Sequence, residues 1–408
     1  ILYYGRIAQN SANGTASVAI PSDLTTGTYT LKVFSEQYNG DYKTDYASEF
    51  QDITLTVRGK FSEQFNLTPG KTYWFDLSAI SIPGTRNAKD VPDASFHWVP
   101  FTYTGTIDAY VLNESSEGVG NASDIASSTA DFDGQYGYTY DHSLFISDYV
   151  INHSARWNDL NARGLIYGKD YNIRGLAYTL RASSAGSYYS GREENQRGTP
   201  SNNEWDAILD KAKQGWKDET SGYIKNWKNI YSWGQDSRNA ELRSVRGTIS
   251  VRVYNGFEAI VKSTAFGFRP VLEVLNPDTL GVDGLKDVVL DLNGGRIGTA
   301  TGTVNIVVKN GESFTAPGSN GLTRPAGNTN AYFSWQGSDG NFYVPGADVP
   351  AGVTSLTAQW TPMTYTVMLE ANGGTIADGK GVISYTYGEG ATLPTENDIT
   401  REGYTFEG

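Results

Sequence analysis

The residues best suited to holding a ligand run from Ile230 to Asp236 and read IYSWGQD. An aromatic ring can cover the C–H face of a sugar while a fixed amide and a carboxylate take its hydroxyls. Trp233, Gln235 and Asp236 supply these three groups, and Arg238 adds a cation two positions further on. Upstream, the loop SSAGSYYSGREENQRG carries the pair Tyr188-Tyr189 between charges of both signs. The IYSWGQD stretch also reads as a turn around a packed tryptophan, and from the residues alone both readings stand.

Other chemistries have less to work with. The chain has no cysteine, which excludes disulfide scaffolds, thiolate zinc sites and thiol catalysis. Its three histidines, at 97, 142 and 153, do not make a histidine-rich metal site. No Ser/His/Asp spacing, HExxH motif, Gly-rich phosphate loop or paired catalytic carboxylate motif stands out. Carboxylates remote in sequence can still meet in a cleft, so glycoside hydrolysis stays open as an alternative. Oxygen-bearing residues at Asn39, Asp41, Asp45 and Glu49, and at Asp131-Phe132-Asp133-Gly134, lack a calcium-loop spacing. No cofactor is expected, calcium being the one ion these stretches could take.

Composition narrows the class. At 408 residues the chain is too long for one core, and two to four domains are expected. No apolar run is long enough to span a membrane as a helix. The net charge of −13 argues against nucleic acid, which needs a basic face. Abundant Tyr, Thr, Val and Gly favour strands and turns.

Several elements must position the candidate residues. Residues 1–58 hold period-two runs at Val18/Ile20, Tyr29/Leu31/Val33 and Ile53/Leu55/Val57, the mark of half-buried strands. They read as a partial Ig-like β-sandwich. Residues 59–94 read as a connecting segment containing one short strand, TYWFDL. A central domain is expected over 95–275. It opens with two strands, FHWVPFTYTG and TIDAYVL, separated by a glycine turn. A long loop follows over 113–141, then a strand at His142–Ile151 and a helix over 153–163 ended by Gly164. Ser201 and Glu204 read as a capping box for a helix to about Ala212, with Trp205, Ile208 and Leu209 on its apolar face. Arg269 lies in an apolar context and needs a partner, for which Glu204 and Glu273 are the candidates.

After residue 276 the chain repeats itself. DVVLDLNGGRI at 287–297 is echoed by TVMLEANGGTI at 366–376, and GESFTAP at 311–317 by GEGATLP at 388–394. Arg324 is echoed by Arg401. Repeats at near-constant spacing indicate an array, and Asn-Gly-Gly between alternating apolar residues predicts hairpins. Two β repeats are expected, over 287–360 and 364–408.

Three resemblances attach to these residues. GTYTLKVFSEQYNGDYKTDYASEF is similar to a module of Gram-positive, gut Firmicutes cell-surface proteins. The order YTLRASS, PSNNEWDAIL, YSWGQD, VRGTISVRV, GFRPVLEV resembles the formylglycine-generating-enzyme, or sulfatase-modifying, family. That resemblance implies an α+β C-type-lectin-like fold over about 95–275. The family's oxidases bind copper through two cysteines, so the missing cysteines break the carry-over of that activity. REGYTFEG resembles the end of a Listeria–Bacteroides repeat, which implies a small β-grasp-like unit and a chain that is a fragment of a longer protein.

The fold class expected is therefore multidomain and mainly β: a partial Ig-like sandwich, a central α+β C-type-lectin-like domain and C-terminal β-grasp-like repeats. The function expected is a non-catalytic adhesin or ligand-binding protein at the cell wall or cell surface, outside the cell. Its partner would be a glycan or a host or bacterial surface protein, met by a monomer through Trp233, Gln235, Asp236, Arg238, Tyr188 and Tyr189. The alternatives are a secreted enzyme acting on glycans and a purely structural spacer.

Overall fold

The computed structural model describes residues 27–36, 47–57, 67–112, 138–191, 196–209, 229–274, 284–325, 332–361, 364–386 and 389–407. The chain is mainly β, with several sheets. It divides into two compact units, Ile1–Phe61 and Ser62–Gly408.

In the first unit the strands Gly27–Glu36 and Ala47–Val57 pair antiparallel. Tyr29 stands opposite Leu55 and Leu31 opposite Ile53, so the expected apolar alternation is used across one ladder. The Val18/Ile20 run and the acidic stretch at Asn39–Asp45 lie outside the described residues.

Two sheets build the centre of the second unit. One has six antiparallel strands, in the order Thr72–Phe75, Val99–Val111, Tyr138–Ser147, Val271–Val274, Leu176–Arg181, Lys169–Ile173. The other runs Tyr254–Glu258, Leu242–Gly247, Tyr231–Ser237, Phe266–Gly267, the last pair parallel. Phe75, Phe101, Phe145 and Tyr178 meet edge to face on one side of the larger sheet and continue into Trp157, Trp233 and Phe266. Its other side packs Ile107, Leu144, Ile146 and Val271 against Trp205, Ile208 and Leu209.

Two helices occur among the described residues, α1 (Trp157–Asn161) and α2 (Glu204–Leu209). Each contributes a narrow apolar face, Trp157/Leu160 and Trp205/Ile208/Leu209. The cap of α2 is not the Ser201/Glu204 box. Asn203 accepts from the Asp206 backbone N–H at 2.9 Å, while Glu204 points into the core. Gly164, with φ +75, lies just beyond α1, but the helix is shorter than the expected 153–163, because Asn152–His153 pairs as a strand with Thr85–Arg86.

Three further expectations change. Val99–Val111 is one strand where two were expected, because Gly105 at φ +76 forms a bulge and not a turn: pairing with the Tyr138–Ser147 strand shifts register between Tyr103 and Gly105 and then resumes. Thr72–Phe75 pairs with Val99–Thr102, so this part of the segment read as a connector is an edge strand of the central sheet. Arg269 donates to the backbone oxygens of Ser147 and Asp148, at 3.0 and 3.2 Å, while Glu204 and Glu273, the partners expected for it, are paired with Arg181.

The first repeat forms a five-stranded sheet ordered Ala300–Lys309, Leu285–Ile297, Ser355–Thr361, Tyr332–Gly337, Phe342–Tyr343. Asn293 and Gly294, at φ +44 and +83, bulge a continuous strand, and the chain reverses only after Ile297. The hairpin expected at Asn-Gly-Gly is therefore displaced by a few residues. In the second copy Asn372 and Gly373 have the same φ values, +44 and +83. Register is also copied: Asp287 opposite Val307 becomes Thr366 opposite Ser384. Burial is not. Val288 is fully buried, whereas its counterpart Val367 is 42% exposed. The first copy covers this face with Phe333, Trp335, Leu356 and Ala358, and only two-stranded sheets are described in the second.

The first repeat shares cores with the central sheets. Trp98 sits in the repeat's core and donates through Nε1 to the Asn320 oxygen at 2.6 Å, while Leu285 and Val307 sit in the central core. Lys71 pairs with Asp287 across the same junction.

Candidate functional site

The Tyr231–Ser237 strand carries the main sequence candidates and buries both of its faces. Trp233 is 1% exposed, and its Nε1 donates to the Ala155 oxygen at 2.8 Å. Gln235 is spent on two backbones, donating to Ile166 O at 3.1 Å and accepting from Leu112 N at 3.0 Å. Asp236 accepts from the Tyr110 hydroxyl and from the Ala185 N–H, both at 2.6 Å. None of the three presents a group to solvent. The expected surface of ring, amide and carboxylate is corrected to a core strand whose polar atoms tie down four neighbouring segments.

Strongly perturbed acids and bases lie in this same interior. Burial pushes the Asp236 carboxyl up to about 6, against the lowering effect of its hydrogen bonds. Burial and the Asp236 charge hold the Tyr110 hydroxyl well above its ordinary value. Burial alone would raise Glu204, but the Arg181 guanidinium and the hydrogen bonds from Arg181 and His142 outweigh it and hold the carboxyl at about 2. For His142 burial works against the proton, and the Glu204 bond at 2.7 Å wins, raising its pKa. Arg181 also reaches Glu273 at 3.1 Å, and Arg246 pairs with Asp206 at 2.5 Å. Perturbed groups mark active sites when they face a cleft. Here they are fully buried and saturated with protein partners, which is the pattern of structural networks.

The other three candidates come together. Tyr188 and Tyr189 stack with ring centroids 5.0 Å apart and planes 22° from parallel. The Arg238 guanidinium lies 5.7 Å from one centroid and 5.8 Å from the other. All three side chains are partly exposed. Tyr188–Ser190 pairs with Arg197–Thr199, which fixes the two rings on a short ladder. Behind them Tyr254 packs 5.8 Å from Tyr189, and its hydroxyl meets Ser244 Oγ at 2.8 Å. Ser244 Oγ in turn donates to the Gly186 oxygen at 2.8 Å. A rigid aromatic floor with a cation across it can bind a planar or ring-shaped ligand, chiefly an anionic one.

Sequence reasoning missed Tyr254 and Gly256, which back this patch. The only local signal was VRVYNG, an aromatic next to a turn dipeptide. It also missed the Arg181–Glu204–His142 cluster, whose members are far apart in sequence. Among the described residues no group of three or more His, Asp or Glu is placed to hold a metal ion. No helix among them is long and apolar enough to cross a membrane. The acidic stretch Asp131–Gly134 lies outside the described residues. Compared with known proteins, the chain matches no family model, no curated protein and no solved structure.

Proposed function

We propose that the chain is a non-catalytic ligand-binding protein of a bacterial cell surface, and that it meets a glycan through Tyr188, Tyr189 and Arg238. The observation that carries this reading is the contrast between two groups of polar side chains. The buried acids and bases are consumed by the fold, while the Tyr188–Tyr189–Arg238 cluster leaves its rings and its cation partly open to solvent. Stacked tyrosines offer rigid area at low entropic cost, which suits weak single contacts multiplied by avidity. In the same proposal the central sheets with their two short helices are an α+β C-type-lectin-like domain. The Gly27–Val57 pair belongs to an Ig-like sandwich, and the two repeats are β-grasp-like units. The copied register and φ angles of the repeats support the last point.

A glycan-array screen of the whole chain, with calcium and again with chelator, tests the reading. Binding to a defined sugar class that is lost in Tyr188→Ala/Tyr189→Ala is the expected outcome. Silence in both conditions from a folded chain, with capture of a protein ligand in its place, would remove the glycan reading. The whole chain is the right reagent because the central sheets share their core with the first repeat.

A further inference from the structure

Arg238 is placed as an anion receptor. Its backbone N–H donates to the Leu242 oxygen at 2.7 Å, at the turn joining the Tyr231–Ser237 and Leu242–Gly247 strands, so its Cα is fixed by a ladder end. Its stem then reaches Gly256 of the Tyr254–Glu258 strand, which pairs with the other side of the Leu242–Gly247 strand. A Cβ built on Gly256 would lie 2.6 Å from Arg238 Cδ and 3.1 Å from its Cβ, so the stem occupies the space that any side chain at 256 would need. The guanidinium ends against Tyr188 and Tyr189. Among the described residues it has no carboxylate partner, in a chain with 45 acidic and 32 basic residues. The buried or half-buried arginines Arg174, Arg181, Arg243, Arg246 and Arg269 are each bonded to a carboxylate, a hydroxyl or backbone oxygens. Among the described residues Arg238 thus has no partner on its N–H fork, which lies beside two aromatic faces.

We infer that Tyr188, Tyr189 and Arg238 form a subsite for a carboxylate-bearing saccharide, a sugar acid whose carboxylate takes the Arg238 fork and whose ring lies on the tyrosines. This deepens the glycan-binding reading above and rests on it. The physical reasons are two. A guanidinium binds a carboxylate through two parallel N–H···O bonds, a geometry that ammonium lacks. A pyranose presents flat C–H patches to aromatic rings, which neutral and acidic sugars share. The rings therefore supply the sugar contact, and Arg238 supplies the preference for the acid. Phosphate fits the same fork but not the same rings, so it serves as the control ligand.

The test is ligand-observed NMR and calorimetric titration of the whole chain. The probes are N-acetylneuraminic acid, glucuronic acid, glucose and inorganic phosphate, each at low and at physiological salt. The sugar acids are expected to bind at least tenfold more tightly than glucose and phosphate, and more weakly as salt rises. Arg238→Ala should abolish that preference, Arg238→Lys should recover only part of it, and Gly256→Ala, which keeps the charge but displaces the stem, should weaken it. The melting midpoints of the Arg238 variants should stay near that of the parent. Equal binding of glucose and the sugar acids, untouched by Arg238→Ala, would overturn the acid preference and leave the glycan-binding reading standing. Binding of phosphate as tight as that of the sugar acids would reduce the site to a simple anion site and overturn the saccharide. Absence of binding by every sugar from a folded chain would overturn both.

Discussion

Arg181 and Glu204 meet through two parallel bonds, Nη1 to Oε2 and Nη2 to Oε1, each 2.7 Å long and both out of solvent. The Ser184 N–H adds a third donor to Oε2 at 2.9 Å, and His142 Nε2 lies 2.7 Å from Oε1. The pair joins the start of α2 to the end of the Leu176–Arg181 strand at the middle of the central fold.

Removing one partner should therefore be costly. Glu204→Gln leaves Arg181 buried with Glu273, at 3.1 Å, in place of its two-bond partner and is expected to cost about 3 kcal/mol, the low end for a buried pair that loses one member. The pH dependence has a defined sign. The Glu204 carboxyl is held at about 2 in the fold against an ordinary 4.5, so its contribution is present above pH 4.5 and lost as pH falls toward 2. The gap in unfolding free energy between parent and Glu204→Gln, measured by denaturant titration, should shrink by roughly 3 kcal/mol over that window. A gap independent of pH would show that Glu204 is not ionised in the fold.

Asp236 should behave in the opposite sense. Its carboxyl is raised to about 6 from 3.8, so the folded chain binds more protons than the unfolded one between those values, and this group's contribution falls as pH rises through them. Asp236→Asn cannot ionise and keeps one oxygen for either Tyr110 or the Ala185 N–H. Relative to that variant, the parent should lose about 1 kcal/mol of stability between pH 5 and pH 7. Denaturant midpoints at the two pH values check it. A parent that gains on the variant over that interval would contradict the raised value.

These two carboxylates show where sequence reading stops. The ladders of the first unit and of the repeats alternate with period two, so Tyr29, Leu31, Val288 and Leu290 announce their strands directly. Trp205, Ile208 and Leu209 announce a helix face in the same way. The Tyr231–Ser237 strand does not, because both faces are buried and its Gln235 and Asp236 side chains are bonded to partners 51 to 126 residues away. Gln235 and Asp236 look like surface residues to any rule that equates polarity with exposure. Glu204 was misread because a carboxylate three residues after a serine also fits a helix cap, and nothing local reveals that Arg181 competes for it. Tyr188 and Tyr189 were legible as a pair but not as a stack, which needs the short ladder to Gly198 and Thr199.

The repeats provide an internal control on burial. Val288 and Val367 occupy equivalent positions, one buried under Trp335 and Leu356, the other 42% exposed. Val288→Ala is expected to cost about 2 kcal/mol and Val367→Ala no more than about 0.5 kcal/mol. Thermal denaturation of the two variants side by side decides it. Equal costs would mean that the second copy's face is covered in solution.

The junction built on Trp98 makes the last case. Trp98 belongs by sequence to the central sheets, one residue before the Val99–Val111 strand, yet its ring packs with Val288, Leu290 and Phe314 of the first repeat. Leu285 and Val307 reciprocate by entering the core around Phe75 and Phe145. A shared core couples stabilities, since neither part can expose its half without loss to the other. Trp98→Ala should cost about 3–5 kcal/mol, and Trp98→Phe, which loses only the bond to Asn320 and part of the area, distinctly less. Hydrogen exchange read separately on peptides from 99–111 and 285–309 should show protection falling in both for Trp98→Ala. Loss confined to 285–309 would mean that the repeat is an independent spacer hung on the central sheets, and the rigid junction would be ruled out.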